Sequence, residues 1–215
     1  MKINPSWEYK ESPNKRTGRK KPCTVLVMHY TAGGNTDQVV RYFQQPNVEV
    51  SAHFVVGRDG KIIQMVKLDD IAYHAGNSVW KEEKWVNFFS VGIEISNWGP
   101  LKKKGDVYYC WPNNYNTIFN GQDVFEDSLG NFWESYPLKQ IDAVIELSKF
   151  ILESFPEITL ENVVGHEHIS PGRKKDPGPA FPWDKIKKQK IGKQKKEKGS
   201  GTFFRSPSFA PEPLT

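Results

Sequence analysis

Cys23-Thr24-Val25-Leu26-Val27-Met28 is an almost unbroken apolar run that ends on a histidine, His29. A strand with one wet face alternates polar and apolar residues, so a run like this one reads as a strand covered on both faces. It requires packed layers above and below its sheet, and it carries His29 to the strand end, where the chain leaves the core. The residues that follow, Tyr30-Thr31-Ala32-Gly33-Gly34, are mostly small and leave room for a substrate backbone.

Period and punctuation give the other elements. Thr36-Asp37 offers an N-cap ahead of Val39, Val40, Tyr42 and Phe43, predicting a short helix stopped by Pro46. Glu49 to Val56 and Lys61 to Val66 read as strands joined through Gly57-Arg58-Asp59-Gly60, where Asp-Gly is a hairpin signal. Phe89 to Ile95 is another core strand, with Glu94 a carboxylate among apolar neighbours. From Pro100 to Tyr136 the chain is aromatic and irregular, which predicts an elaborated loop or small β excursion within the same domain. Ile141, Val144, Ile145, Ile151, Leu152 and Phe155 fall at helical spacing and predict a long amphipathic helix packed on the sheet. Val163-Val164 is a brief strand, and Pro182-Trp183 opens a last, lysine-rich helix. The expected class is α/β, a single domain over residues 22–190 with a central mixed sheet flanked by helices. An arm over 1–21 precedes it and a basic, disordered tail over 191–215 follows.

Composition removes several function classes. With 215 residues, 37% hydrophobic and 13% aromatic, the chain can bury one core. A mean hydropathy of -0.62 fits the lack of any apolar run near about 18 residues, so no membrane span is expected. Residues Met1 to Lys10 contain no hydrophobic signal region, so a cytoplasmic protein is expected. A monomer is the expected state. Two distant cysteines, Cys23 and Cys110, imply reduced thiols and not a disulfide framework. The net charge of +5 favours an anionic partner, but much of the excess lies in Lys15 to Lys21 and Lys185 to Lys198, which read as solvated charge runs. No recognition helix or RNA-binding motif accompanies the charge, so a nucleic-acid partner is not expected.

The chemistry concentrates in Gly165-His166-Glu167-His168-Ile169-Ser170-Pro171-Gly172-Arg173-Lys174-Lys175-Asp176-Pro177-Gly178-Pro179, which gathers metal-ligand types, basic donors and turn residues. A histidine from a strand end plus His166 and Asp176 from this loop make a three-ligand set with an open fourth position, the makeup of a hydrolytic zinc site at one edge of the sheet. All five histidines, His29, His53, His74, His166 and His168, lie in or beside these segments.

Five blocks carry a further signal: Met28-His29-Tyr30-Thr31-Ala32; Val50 to Val56 with Asp59-Gly60; Ala72-Tyr73-His74-Ala75-Gly76; Ser90-Val91-Gly92-Ile93-Glu94; and Gly165 to Pro179 with Phe181-Pro182-Trp183. In this order they resemble the zinc-dependent N-acetylmuramoyl-L-alanine amidases of the type 2 class, relatives of phage lysozyme-like amidases and animal peptidoglycan recognition proteins. The resemblance spans residues 22 to 186. It implies zinc held by His29, His166 and Asp176, Glu94 as general base and Lys174 as the group that stabilises the oxyanion. It also implies that His53 and His74 line the substrate groove or support the ligands. The guanidinium of Arg173 offers a bidentate fork to a stem-peptide carboxylate. Two positions depart from the pattern. Ala52 stands where some relatives have tyrosine, leaving the burden on Glu94. His168 stands where a carboxylate is common, and on an extended segment it would share a face with His166 and compete for zinc.

The implied activity is hydrolysis of the amide between the lactyl group of N-acetylmuramic acid and L-alanine, on peptidoglycan or muropeptides. A wall-recycling enzyme and a phage endolysin both fit. The alternative is a non-catalytic peptidoglycan-binding module, against which stands the retention of all three ligands, Glu94 and Lys174.

Overall fold

The computed structural model describes residues 6–111, 115–121 and 123–188. Its frame is a six-stranded mixed sheet of β1 (Glu8–Tyr9), β2 (Val25–Tyr30), β3 (Phe54–Val56), β4 (Ile62–Gln64), β5 (Ser90–Ile95) and β6 (Val163–Gly165). The spatial order is β1-β4-β3-β5-β2-β6. The β2–β5, β2–β6, β3–β5 and β1–β4 ladders are parallel, and the β3–β4 hairpin is antiparallel. Among the described residues it is accompanied by α1 (Thr36–Gln44), α2 (Leu138–Ser154), the single turn α3 (His166–Ile169) and α4 (Trp183–Lys187).

Both faces of the sheet are covered, as the apolar run requires. Leu26 and Met28 of β2 and Ile93 and Ile95 of β5 pack with Ile141, Val144, Leu147 and Ile151 of α2. Gln140 of α2 donates through Nε2 to the carbonyls of Val56 and Ser96 at 3.2 and 2.9 Å, closing strand ends that would otherwise be buried unpaired. Alternation sends Val25, Val27 and His29 to the opposite face, where Ala75, Val86, Phe89 and Ile169 complete the packing. On the same side α1 lays Val40 and Phe43 over Val55 and Ile63.

Several boundaries move from their sequence expectation. Asn35, and not Thr36, caps α1, its side chain accepting from the Gln38 amide at 3.2 Å. Thr36 Oγ1 instead meets Ser96 Oγ at 2.8 Å. The strand expected over Glu49 to Val56 shrinks to β3, because Glu49 sits at φ 53° and the Ser51 amide donates to the Tyr73 carbonyl, outside the central sheet. The His53 carbonyl accepts from both Met65 and Val66, at 2.8 and 3.4 Å, which ends regular pairing beyond β4.

Residues 6–21 are built into the domain. β1 is an edge strand of the central sheet, and Lys15–Arg16 pairs with Ile71–Ala72. The charge run there is not fully solvated, which corrects the sequence reading. Lys15 pairs with Glu11 and lies 3.5 Å from Asp70, while Arg19 donates to the Asp70 and Ser90 carbonyls at 3.0 Å each. The elaborated stretch from Pro100 to Tyr136 is a small antiparallel sheet. Its strand order is Thr117–Ile118, Val107–Cys110, Pro100–Lys104, Phe132–Glu134, Val124–Glu126, around buried Leu101, Cys110 and Phe119. A two-pronged Arg58–Glu134 pair at 2.6 and 2.7 Å ties it to the main sheet. Both cysteines are free and buried. The expected tail, 191–215, and the last two residues of the expected domain lie outside the described residues. No described helix is long and apolar enough to cross a membrane.

Leu147 is fully buried between α2 and the sheet. Leu147→Ala is expected to lower unfolding free energy by roughly 2–5 kcal/mol in urea titration, and a loss below about 1 kcal/mol would contradict a closed core at this position.

Candidate metal centre and substrate cavity

Three electron-rich atoms converge at the carboxyl ends of β2 and β6. His29 comes from the end of β2, His166 from the turn after edge strand β6, and Asp176 from the loop that folds back under Gly165. His29 Nδ1 and His166 Nδ1 are 2.9 Å apart, and each lies 3.0 Å from Asp176 Oδ2. The three residues are buried, and they form the one cluster of potential metal ligands among the described residues.

The far side of each imidazole fixes its tautomer. His166 Nε2 faces the Ala75 carbonyl at 3.1 Å and lies farther, 3.3 Å, from Arg173 Nη2, which donates to the Ala75 and Asn77 carbonyls at 2.8 and 2.9 Å, so Nε2 carries the proton. His29 Nε2 faces His74 Nδ1 at 3.0 Å, His74 Nε2 faces Ser90 Oγ at 3.1 Å, and Ser90 Oγ donates to the Val86 carbonyl at 2.7 Å. A carbonyl only accepts, so this chain resolves in one direction: Ser90 accepts from His74, and His74 accepts from His29. Burial, together with the neighbouring imidazoles, holds His74 well below its ordinary 6.5 and keeps it neutral. Both Nδ1 atoms therefore point bare lone pairs at each other and at a carboxylate oxygen. Such a triangle repels itself unless a cation stands among its corners. Ligands about 2.0–2.1 Å from a tetrahedral zinc lie roughly 3.3 Å apart, close to the spacing found here. The donor set fits zinc, with outer hydrogen bonds of the kind that orient histidine ligands.

Burial drives His29 down to about 4, against the pull of the Asp176 carboxylate. Burial would raise Asp176, but the contacts of its Oδ2 with His166 and His29 outweigh it and hold the carboxyl below the usual carboxylate range. The parallel register pairs His29 with Glu94, so both side chains rise from one face of the sheet. Glu94 Oε2 is buried with no hydrogen-bond partner, and burial plus the Asp176 charge push this carboxyl well above 4.5, with Lys174 opposing.

A cavity of about 590 Å³ opens over the triangle. Glu94, His166, Lys174 and Asp176 line it, and Tyr30, Tyr42 and Tyr73 form aromatic walls. The small sheet contributes Pro100, Trp111 and Tyr115, so the 100–136 excursion does shape one side of the groove.

The structure separates the remaining residues singled out in the sequence. His74 borders the cavity but spends both ring nitrogens on His29 and Ser90, so it supports His29. His53 has no exposed surface and does not line the cavity, which corrects the groove expectation. Its Nδ1 accepts from the Gly92 amide at 3.1 Å, behind His74. Arg173 borders the cavity with its Nη2 held by the Ala75 and Asn77 carbonyls and Ser170 Oγ at 2.7–2.9 Å, bracing the loop that anchors His166. His168 does not compete for the metal. Its segment is a helical turn and not extended, so residues two apart point to different sides, and His168 Nδ1 accepts from the Gly165 amide at 2.8 Å.

Sequence reasoning missed Ser90, Arg19 and the Ala75 carbonyl. One signal was available in Gly92. A Cβ there would lie 2.4 Å from His74 Cγ, so only glycine lets the imidazole lie across β5 and reach His29.

A mixed α/β sheet that presents two histidines, an aspartate, a half-buried glutamate and a lysine at the floor of an open cleft has the makeup of a metal-assisted hydrolase. Residues 19–179 match the N-acetylmuramoyl-L-alanine amidase family, and the chain belongs to that family. Over 175 residues it is 35% identical to the N-acetylmuramoyl-L-alanine amidase AmiD of Escherichia coli (strain K12), covering 78% of this chain and 53% of AmiD. Over 179 residues it is 28% identical to the 1,6-anhydro-N-acetylmuramyl-L-alanine amidase AmpD of Haemophilus influenzae, covering 75% of this chain and 79% of AmpD. The structure of E. coli AmiD in complex with the substrate anhydro-N-acetylmuramic acid-L-Ala-D-gamma-Glu-L-Lys matches with a TM-score of 0.59 at 31% identity, over 80% of this chain and 59% of that one. The chain thus spans about half the length of AmiD.

Two measurements follow from the buried histidines. Gly92→Ala, by displacing His74, is expected to weaken zinc affinity about 10- to 100-fold in competition with a chromogenic chelator; unchanged affinity would show that the His29–His74 contact does not orient the ligand. In metal-free protein, His29 near 4 and His53 near 3 remain neutral after their unfolded counterparts protonate near 6.5. Their folded values are depressed, so the unfolded chain binds more protons and stability falls as pH drops below about 6.5. The slope is about 1.4 kcal/mol per pH unit for each histidine until its folded value is reached. A flat denaturant midpoint between pH 6.5 and 4 would contradict neutral burial.

Proposed function

We propose that this protein is a zinc-dependent amidase that hydrolyses the bond between the lactyl carbonyl of an N-acetylmuramoyl group and the L-alanine nitrogen of its stem peptide. The observation that carries the reading is the triangle of His29 Nδ1, His166 Nδ1 and Asp176 Oδ2, at 2.9–3.0 Å, on the floor of a cavity that also holds Glu94 and Lys174. Family membership and the muropeptide complex of E. coli AmiD support the substrate class.

His29, His166 and Asp176 would hold the zinc, which when bound polarises a carbonyl and lowers the pKa of a coordinated water toward about 7. Glu94 is suited to take a proton from the attacking water. Its Oε2 has no competing hydrogen bond, and its raised affinity for protons lets it keep one and pass it to the departing alanine nitrogen. Lys174 borders the same cavity, where its positive charge offsets the negative charge that develops on the former carbonyl oxygen. The Tyr30, Tyr73 and Tyr115 walls give a sugar ring or peptide backbone apolar faces to lie against.

Chelation is expected to abolish stem-peptide release from purified sacculi and added zinc to restore it. Glu94→Gln is expected to lower turnover about 10²- to 10⁴-fold, and Lys174→Ala about 10²- to 10³-fold, each with zinc affinity within a few-fold of wild type. Wild-type turnover by the Glu94→Gln variant would remove that residue from the mechanism. Mass-spectrometric assays of intact polymer and soluble anhydro-muropeptide in parallel would identify the preferred substrate.

A further inference from the structure

The small sheet does more than border the cavity. Register places Lys102 opposite Tyr109, Tyr109 opposite Ile118, and Lys104 opposite Val107, so these five side chains share one face. Alternation along the strand puts Pro100, a cavity residue, on that face too. Leu101 and Cys110 point the other way into the sheet's own core. The face is therefore continuous with the cleft, the Lys102 Nζ lying 5.7 Å from the ring centre of the cavity residue Tyr115, and among the described residues no other element covers its outer part. Ile118 is 51% exposed and Val107 39%, and Lys102 and Lys104 are exposed. Lys104 Nζ lies 4.7 Å from the centre of the Tyr109 ring, an arrangement that holds a cation beside an aromatic surface. None of these paired positions carries a carboxylate.

At about 3.4 Å per residue, the row from Pro100 to Lys104 runs roughly 13–14 Å away from the cleft. A cavity of about 590 Å³ is filled by a ligand the size of one muramoyl peptide. Only a longer substrate can occupy the cleft and reach the lysines. In a peptide such as the one bound to E. coli AmiD, the γ-linked glutamyl unit leaves its α-carboxylate free, so each successive stem peptide of a wall polymer presents an anion. Sugar rings next to those anions match a tyrosine next to two lysines.

We propose that the Lys102–Tyr109–Lys104 face is a second binding surface for polymeric peptidoglycan, holding the stretch of chain next to the muramoyl unit in the cleft. The inference rests on the amidase reading for the direction in which substrate lies, but binding can be measured without hydrolysis. In the full chain carrying Glu94→Gln, Lys102→Glu/Lys104→Glu is expected to weaken co-sedimentation with purified sacculi roughly tenfold, and retention by the unreversed face should fall as salt rises. In the otherwise wild-type chain, the same pair should leave hydrolysis of a soluble anhydro-muramoyl tripeptide within about twofold, because a charge outside the contact does not touch that substrate. Unchanged retention on sacculi would overturn the proposal. So would an equal loss on the soluble substrate at an unchanged melting temperature, since the lysines would then act inside the cleft. If charge reversal lowers the melting temperature, Lys102→Gln/Lys104→Gln keeps the stems packed and is judged by the same two outcomes. If the wild-type chain releases no peptide from either substrate yet lysine-dependent retention persists, the amidase reading fails and the binding surface stands.

Discussion

The register of the β2–β5 ladder is the constraint on which the site depends. It pairs His29 with Glu94, Val27 with Gly92 and Val25 with Ser90. One strand thus delivers a candidate metal ligand, while its neighbour delivers, at alternate positions, the Glu94 carboxylate, the gap that admits His74 and the hydroxyl that ends the His74 chain. A slip of one residue would turn Glu94 into the α2 core and bring Ile93 to the site. The apolar residues between these positions, Met28 and Ile93, hold the register by packing against α2.

From that row the ligand geometry is fixed from behind. Protons run from His29 through His74 and Ser90 to the Val86 carbonyl, and from His166 to the Ala75 carbonyl, so both imidazoles of the triangle keep one tautomer and one orientation. Arg19 steadies the same region by bridging the Ser90 and Asp70 carbonyls, and Arg173 clamps the Ala75–Asn77 loop to Ser170. Each buried imidazole costs stability at acid pH. The arrangement persists because α2 and the opposite face of the sheet supply a separate apolar core that does not pass through the site.

Much of this was legible in the residues. The apolar run ending at His29 announced a strand buried on both faces, the spacing from Ile141 to Phe155 announced α2, and the stretch from Gly165 to Pro179 announced the two residues that join His29 in the triangle. Where the reading slipped, it had assumed local conformation without the contacts that set it. His168 looked like a rival ligand only while its segment was taken as extended. Arg19 looked solvated because the pocket of carbonyls that receives it comes from residues about fifty to seventy positions away in the chain. His53 and His74 looked alike in sequence, yet one lies wholly behind the other.

By itself the sequence determined the layer architecture, the identity of the three ligand candidates and the odd carboxylate on β5, because hydrophobic period and ligand chemistry are properties of the residues. Only the tertiary structure decided which nitrogen of each histidine faces the centre, which histidine supports and which binds, and that Pro100, Trp111 and Tyr115 wall the cleft. Tautomer, burial and wall are relations between segments remote in the chain, and they exist only once the ladder and the loops have closed around one another.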